Sequence, residues 1–127
     1  MSIDAAREDG VWRVYTKGGR SRTDKDAIEW SQEAVRLGAG ELLVTSIDRD
    51  GVRTGYDIEL TRAIAQAVDV PVIASGGAGN SAHVVEALTA GQASAALVAG
   101  ILHDGVATVR EIKEAMLAAG IPTRRTW

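Results

Sequence analysis

The sequence predicts an α/β fold, built from four parallel βα units in a single domain over residues 1–127. Short aliphatic runs alternate along the chain with longer stretches that have helical periodicity, a pattern typical of parallel βα units. The chain has 127 residues, which fits one domain. A closed eight-stranded β/α barrel needs roughly 250 residues, so one copy cannot form one.

The first unit opens with a short apolar strand at residues 1–3. Residues 11–15 alternate apolar and polar side chains, and the turn at residues 17–20 makes this segment a small ribbon. Apolar residues then recur at helical spacing from Asp24 to Leu37. Glycines directly after Leu37 end this predicted helix.

Three further units follow the same plan. Their predicted strands are residues 42–46, residues 72–75 and residues 95–100, and a polar loop from Asp48 to Tyr56 follows the first of them. The first two of the helices that follow them are predicted to be capped by Asp57 and by Ser81. The last helix is predicted to carry an apolar face at Val109, Ile112, Met116 and Ala119.

Composition excludes several classes of function. The chain has no cysteine and a formal net charge of −3, so disulfides, thiolate metal sites and cysteine nucleophiles are ruled out and a nucleic-acid partner is not expected. We expect no leader segment, and no apolar run approaches the roughly 20 residues of a membrane helix. We therefore expect a soluble cytoplasmic protein without a membrane partner.

Parallel sheets and barrels bind ligands at the carboxyl ends of their strands, and three such ends carry unusual residues. Asp4 follows the opening strand and is either a general acid or base or a solvated aspartate. The second is Asp48-Arg49-Asp50-Gly51, whose two aspartates suggest a calcium loop. Its glycine stands fourth and not sixth as in an EF-hand, so calcium binding is rejected. That segment is an active-site loop or a plain polar turn.

The third strand end, Ser75-Gly76-Gly77-Ala78-Gly79, leads into a predicted helix. Bare backbone at a helix N-terminus is suited to holding a phosphate, whereas a purely steric turn would need fewer glycines. Ala99 and Gly100 end the next strand and add a second stretch of bare backbone, as in the phosphate site of β/α barrels. We therefore favour a phosphate site here over a steric turn.

Residues 77–82 also fit the dinucleotide fingerprint G-x-G-x-x-G/A, which leaves a Rossmann-like module as a distant alternative. That fingerprint expects an acid at the end of the next strand, and residues 97–101 contain none. His83 and His103 lack metal-ligand spacing, so each is expected to be structural or on the surface. We expect no metal and no cofactor.

Several segments, in this order along nearly the whole chain, resemble the C-terminal half of the cyclase subunit of imidazole glycerol phosphate synthase, an enzyme of histidine biosynthesis. The most specific are Asp48-Arg49-Asp50-Gly51 and Gly55-Tyr56-Asp57. The others are Ile3-Asp4-Ala5, Val14-Tyr15-Thr16, Gly18-Gly19-Arg20, Ala27-Ile28-Glu29-Trp30, Leu37-Gly38-Ala39-Gly40-Glu41, Thr45-Ser46-Ile47 and residues 72–79.

The resemblance implies half of a (βα)8 TIM barrel, matching βα units 5–8. In that family, ammonia from a partner glutaminase attacks a ribulosyl aminoimidazole-carboxamide nucleotide with a phosphate at each end, and imidazole glycerol phosphate is formed. The resemblance makes Asp4 the catalytic aspartate of the fifth strand and places Glu41 in the charged ring where ammonia enters. The residues that it assigns to one phosphate site are Asp50, Gly51, Gly76, Gly77, Ala99 and Gly100.

The family's N-terminal half, with a second catalytic aspartate and the other phosphate site, has no counterpart in these residues. Four parallel strands would leave two unpaired edges and an open apolar face, so we expect the ring to be completed by a homodimer or a higher closed assembly. Two functions remain open: an ammonia-dependent cyclase with Asp4 from each copy, or a non-catalytic half-barrel that binds phosphate or phosphorylated sugars. Docking of a glutaminase stays open too, because that face needs both halves.

Overall fold

The computed structural model describes residues 1–125, which form one six-stranded sheet and five helices. The strands are β1 (Ser2–Glu8), β2 (Val11–Thr16), β3 (Ser21–Asp26), β4 (Leu42–Ser46), β5 (Val72–Ser75) and β6 (Ala95–Ala96). The helices are α1 (Ala27–Arg36), α2 (Ile58–Ala67), α3 (Ser81–Leu88), α4 (Gly100–His103) and α5 (Val109–Ala118). No helix within residues 1–125 is long and apolar enough to cross a membrane.

Four strands of the sheet are parallel and lie side by side in chain order. The full order is β3-β2-β1-β4-β5-β6, and the pairs β1 with β4, β4 with β5 and β5 with β6 are parallel. A doubly wound sheet would reverse its strand order partway, and this one does not. The predicted α/β architecture of four parallel βα units, equivalent to half of a TIM barrel, is therefore confirmed, and the Rossmann alternative is wrong.

The two faces of the sheet differ in character because side chains alternate along each strand. One face meets the helices, and its side chains are buried: Ile3, Ala5, Leu42, Val44, Val72 and Ala74. The other face is open and carries two rows set by the strand register. Its first row contains Ser2, Leu43, Ile73 and Ala95, and its second, nearer the carboxyl ends, contains Asp4, Thr45 and Ser75.

The hairpin formed by β2 and β3 belongs to the sheet. β2 pairs antiparallel with Asp4–Glu8 of β1, so the outer edge of β1 is covered over that stretch. The prediction of two fully unpaired edges is therefore wrong at β1. The Glu8 carboxylate accepts hydrogen bonds from Tyr15 and Arg22, which tie the hairpin to β1 and hold the pKa of Glu8 below its ordinary value.

Two helix starts differ from the predictions. α1 begins at Ala27 and not at Asp24, because the residues before it form β3 and Asp26 is the N-cap that accepts from the Ile28 N–H at 2.8 Å. α3 is capped by Asn80, whose side chain accepts from the His83 N–H at 3.0 Å, so the prediction of Ser81 as the cap is wrong.

The cap of α2 was predicted, whereas that of α5 was not. Asp57 caps α2 as predicted, accepting from the Leu60 N–H at 3.0 Å. α5 starts with a capping box between Thr108 and Glu111.

The last strand is much shorter than predicted. Only Ala95–Ala96 pair with β5, whereas the sequence predicted a strand over residues 95–100. β6 has one neighbour in the described part of the chain, so no second ladder extends it, and the segment turns at Gly100 into the short helix α4.

Candidate functional site

The carboxyl ends of β4, β5 and β6 surround a cavity of about 160 Å³. It is lined by all of the residues that the family resemblance assigns to one phosphate site: Asp50, Gly51, Gly76, Gly77, Ala99 and Gly100. Ser75, Ala78, Leu97 and Arg53 complete the lining. Three separate segments of the sequence thus meet at this one cavity.

The floor of the cavity is the turn after β5. Gly76 and Gly77 have φ angles of +91° and +107°, which side chains other than that of glycine rarely adopt. A Cβ on Gly77 would lie 2.1 Å from the carbonyl oxygen of Gly55. The Gly55 N–H donates to the Gly77 carbonyl at 2.8 Å, so the loop after β4 is fastened to this turn.

Packing alone therefore explains why these positions are glycine, and the number of glycines is not by itself a sign of phosphate binding. The hydrogen-bond pattern is the more informative observation. Within residues 1–125, the backbone N–H groups of Gly77 and Ala78 donate to no protein atom. These N–H groups are available for an anion in the cavity.

His83 supports the same turn from α3. Its Nδ1 accepts from the Gly79 N–H at 3.1 Å, and its ring lies 3.6 Å from the position of a Cβ on Gly55. This contact is structural, as the sequence predicted for this histidine. Among residues 1–125, no group of three or more histidine, aspartate or glutamate side chains could hold a metal ion.

Tyr56 belongs to the Gly55-Tyr56-Asp57 segment of the family resemblance, but the sequence analysis assigned it no role in the site. Its side chain is buried, and its hydroxyl donates to the carbonyl oxygen of Leu97 at 2.7 Å. Burial raises the pKa of Tyr56 to about 12. The bond joins the loop after β4 to the segment that follows β6, and so helps to position Ala99 and Gly100. The sequence marks Tyr56 only as part of the resembling segment, because its partner Leu97 lies 41 residues further along the chain.

Arg53 is the second residue that the sequence analysis missed. It supplies the lone lysine or arginine side chain among the described residues that line the cavity. Its guanidinium forms an ion pair with Asp104, which lies directly after α4, and holds the pKa of Asp104 below its ordinary value. No spacing rule marks Arg53 in the sequence, since its partner is far along the chain.

Asp4 lies beside this cavity and does not line it. It is half-buried on the open face of β1, next to Thr45 of β4 and Tyr15 of β2. A second cavity of about 340 Å³ is lined by Asp4, Thr45 and Asp50, together with Gly18, Gly19 and Ile47. Because Asp50 lines both cavities, they adjoin, and the catalytic and phosphate-binding candidates lie at the same end of the sheet.

The location of Asp4 within its strand differs from expectation. The sequence placed it at the end of the opening strand, but β1 continues to Glu8 because β2 pairs with it. The parallel pairing with β4 covers only Ser2 to Ala5. Asp4 is therefore near the end of the parallel part of β1 and in the middle of the whole strand.

Glu41 lies at the opposite end of the sheet. It is exposed and directly precedes β4, whose carboxyl end points towards the two cavities. Five residues of strand separate it from that end, a length of about 17 Å. Glu41 therefore belongs to the other mouth of the half-barrel, apart from Asp4 and Asp50.

Comparison with known proteins agrees with this arrangement. A model of the histidine biosynthesis protein family matches residues 1–108. The chain is 63% identical over 123 residues to the imidazole glycerol phosphate synthase subunit HisF of Myxococcus xanthus (strain DK1622), covering 97% of this chain and 49% of that protein. It is 57% identical over 129 residues to the subunit of the same name from Synechococcus sp. (strain CC9605), covering 98% and 50%.

The corresponding subunit of Synechocystis sp. (strain ATCC 27184 / PCC 6803 / Kazusa) is 53% identical over 130 residues, covering 99% of this chain and 50% of that protein. The chain thus spans about half the length of the curated relatives that it matches. The family match covers most of the chain, including every residue assigned to the two cavities. This chain therefore belongs to the histidine biosynthesis protein family.

Proposed function

We propose that the chain binds phosphate, or a phosphorylated sugar-nucleotide, in the cavity at the carboxyl ends of β4, β5 and β6. The observation that carries this proposal is the convergence of Asp50, Gly76 and Gly100 on one cavity floored by unpaired N–H groups. Such groups bind anions through aligned dipoles and hydrogen bonds to phosphate oxygens. Phosphate sites at this end of β/α barrels are built in the same way.

A thermal-shift titration with inorganic phosphate tests the binding. A ligand that binds only the folded state raises its stability in proportion to the logarithm of ligand concentration above Kd. The variant Ala99→Glu adds a carboxylate to the exposed rim of the cavity and should abolish the shift. Ala90→Glu makes the same change at an exposed position outside the cavity lining and should keep it. Equal shifts in both variants would refute the site.

The proposal extends to self-association of the chain. Leu43, Ile73 and Ala95 form an apolar row on the open face, and Leu97 beyond it is 41% exposed. A groove of about 450 Å³ beside β6 is lined by apolar side chains that include Val98, Leu102, Ile112 and Met116. Open strand edges and apolar patches of this kind favour association.

A homodimer would cover these surfaces and bring a second set of parallel strands to the free edge of β6. In such a dimer each copy contributes one Asp4 and one phosphate cavity, a symmetric version of a site with two aspartates and two phosphates. We therefore propose that the dimer has residual ammonia-dependent cyclase activity on the family's substrate, with Asp4 as general acid or base. We also propose that the protein is located in the cytoplasm.

Assaying the chain with the nucleotide substrate and an ammonium salt tests this activity. Asp4→Asn should abolish product formation, whereas Asp9→Asn changes a carboxylate in the turn after β1, outside both cavities, and should have no effect. Product formation by Asp4→Asn at the wild-type rate would remove the assigned role.

The second candidate is a half-barrel that binds phosphate without catalysis. The location of Asp4 favours it, since one copy places a single catalytic candidate beside one phosphate cavity, and catalysis requires groups positioned within about 1 Å. Phosphate-dependent stabilisation without any product, at all protein concentrations, would identify this case. Docking of a glutaminase near Glu41 is a further part of the cyclase proposal, tested by ammonia transfer from glutamine.

A further inference from the structure

We infer that Arg53 is the cationic ligand of the phosphate cavity and that Asp104 competes with the bound anion for it, an inference that rests on the proposed phosphate site. The cavity contains the carboxylate of Asp50 in its lining, which repels an anion. A positive charge in the same lining is needed to offset that repulsion. Among the described residues that line the cavity, Arg53 is the one that carries it.

The backbone of Arg53 is held against the glycine turn. Its φ angle is +61°, an uncommon conformation for a residue other than glycine. Its carbonyl oxygen lies 2.1 Å from where a Cβ on Gly79 would be, so the peptide fits only against a bare backbone. A strained residue fixed at a ligand cavity is a common feature of binding sites.

The side chain of Arg53 crosses the other wall of the cavity. Its Nη2 atom lies 2.9 Å from the position of a Cβ on Gly100, and the absence of that Cβ lets the guanidinium pass. Beyond Gly100 it reaches Asp104. The guanidinium thus lies between the cavity and a carboxylate that is 57% exposed.

Arg53 both lines the cavity and pairs with Asp104, so part of the guanidinium is already engaged by a carboxylate. A phosphate offers the guanidinium a second acceptor with more charge, and a planar guanidinium binds phosphate oxygens in pairs. The Asp104 pair is exposed, and exposed pairs contribute little to stability. Asp104 therefore acts as a weak competitor that lowers the apparent anion affinity and keeps the arginine near the site.

Isothermal titration calorimetry with inorganic phosphate on the full chain tests this arrangement in four proteins: wild type, Arg53→Gln, Asp104→Asn and the double variant. We expect Arg53→Gln to weaken binding roughly tenfold, as for loss of a charge-assisted hydrogen bond. Asp104→Asn should strengthen binding about two- to fourfold, as for release of an exposed ion pair. The double variant should equal Arg53→Gln, because Asp104 acts only through Arg53.

Glu33→Gln is the matched control. It removes one carboxylate from another exposed ion pair, with Arg36 on α1, and changes the net charge by the same amount. It should leave phosphate affinity unchanged, which separates competition for Arg53 from a general effect of charge.

The remaining outcomes overturn the inference in distinguishable ways. If the wild type binds phosphate and Asp104→Asn binds it equally well or more weakly, Asp104 does not compete for Arg53, but the phosphate site stands. A gain in Asp104→Asn that persists in the double variant overturns the role of Arg53 as intermediary. Absence of binding in the wild type and in Asp104→Asn overturns the proposed phosphate site and this inference together.

Discussion

Gly77→Ala tests the close packing that forms the floor of the cavity. The new methyl group would lie 2.1 Å from the carbonyl oxygen of Gly55. The alanine backbone would also have to keep a φ angle of +107°. To relieve the clash, the loop after β4 must move away from the turn after β5. That movement breaks the hydrogen bond from the Gly55 N–H to the Gly77 carbonyl, which is 2.8 Å long.

The expected cost has three parts. The left-handed backbone costs an alanine roughly 1–2 kcal/mol, the lost hydrogen bond roughly 0.5–1.5 kcal/mol and the steric overlap roughly 1–3 kcal/mol. Together they predict a loss of about 2.5–6.5 kcal/mol in the free energy of unfolding. Gly10→Ala is the matched control, since Gly10 has a φ angle of +82° but no atom within 4 Å of its Cβ position. Gly10→Ala should therefore incur only the cost of the left-handed backbone conformation.

Urea denaturation of the three proteins at one protein concentration measures both losses. The structure predicts that Gly77→Ala is less stable than Gly10→Ala by about 1.5–4.5 kcal/mol. Equal stability of the two variants would show that the loop after β4 does not pack on the turn after β5, and that these two segments do not form the floor of the cavity.

Three further predictions concern other parts of the structure. Tyr56→Phe should lower the free energy of unfolding by about 1 kcal/mol in urea denaturation near pH 7. Because the folded pKa of Tyr56 is about 12 and the unfolded one about 10, wild-type stability should also fall from about pH 10 towards pH 12 more steeply than that of Tyr56→Phe; parallel pH profiles would contradict this reasoning. Thr108→Ala should cost about 1 kcal/mol through loss of the capping box of α5, again by urea denaturation, and no loss would mean that the end of α5 is frayed. If the chain dimerises as proposed, the wild type should sediment as a dimer in sedimentation velocity and Leu43→Arg, on the open face, as a folded monomer; a variant that still dimerises would place the interface elsewhere.

Most of the fold follows from local patterns in the sequence. Strands β4 and β5 are short aliphatic runs ended by polar or glycine residues, and the cap Asp57 precedes a periodic segment. These signals are strong because they depend on neighbouring residues alone. The α/β architecture of four parallel units was predictable for the same reason.

The errors in the strands arose where the pairing of one segment with another decides the outcome. β1 runs past Asp4 because β2 pairs with it, and residues 21–26 extend as β3 because they pair with β2. β6 is short because it has one partner in the described residues. Pairing between two strands is not contained in the periodicity of either segment alone.

The candidate site shows the same division. The glycines and Asp50 could be picked out because they follow predicted strands, where ligands of parallel sheets bind. Arg53 and Tyr56 could not be placed, because their importance comes from contacts with Asp104 and Leu97 more than forty residues away. Such contacts exist only after the strands are assembled.

A titration of ¹⁵N-labelled protein with inorganic phosphate, followed by NMR, tests whether the backbone of the cavity binds phosphate. If the cavity binds phosphate through its backbone, the amide signals of Gly77, Ala78 and Gly100 should shift together and saturate with one dissociation constant. The amide of Gly10, in the turn between β1 and β2, should stay in place. Unchanged signals for the three cavity residues at phosphate concentrations that shift other amides would show that phosphate does not bind in the cavity.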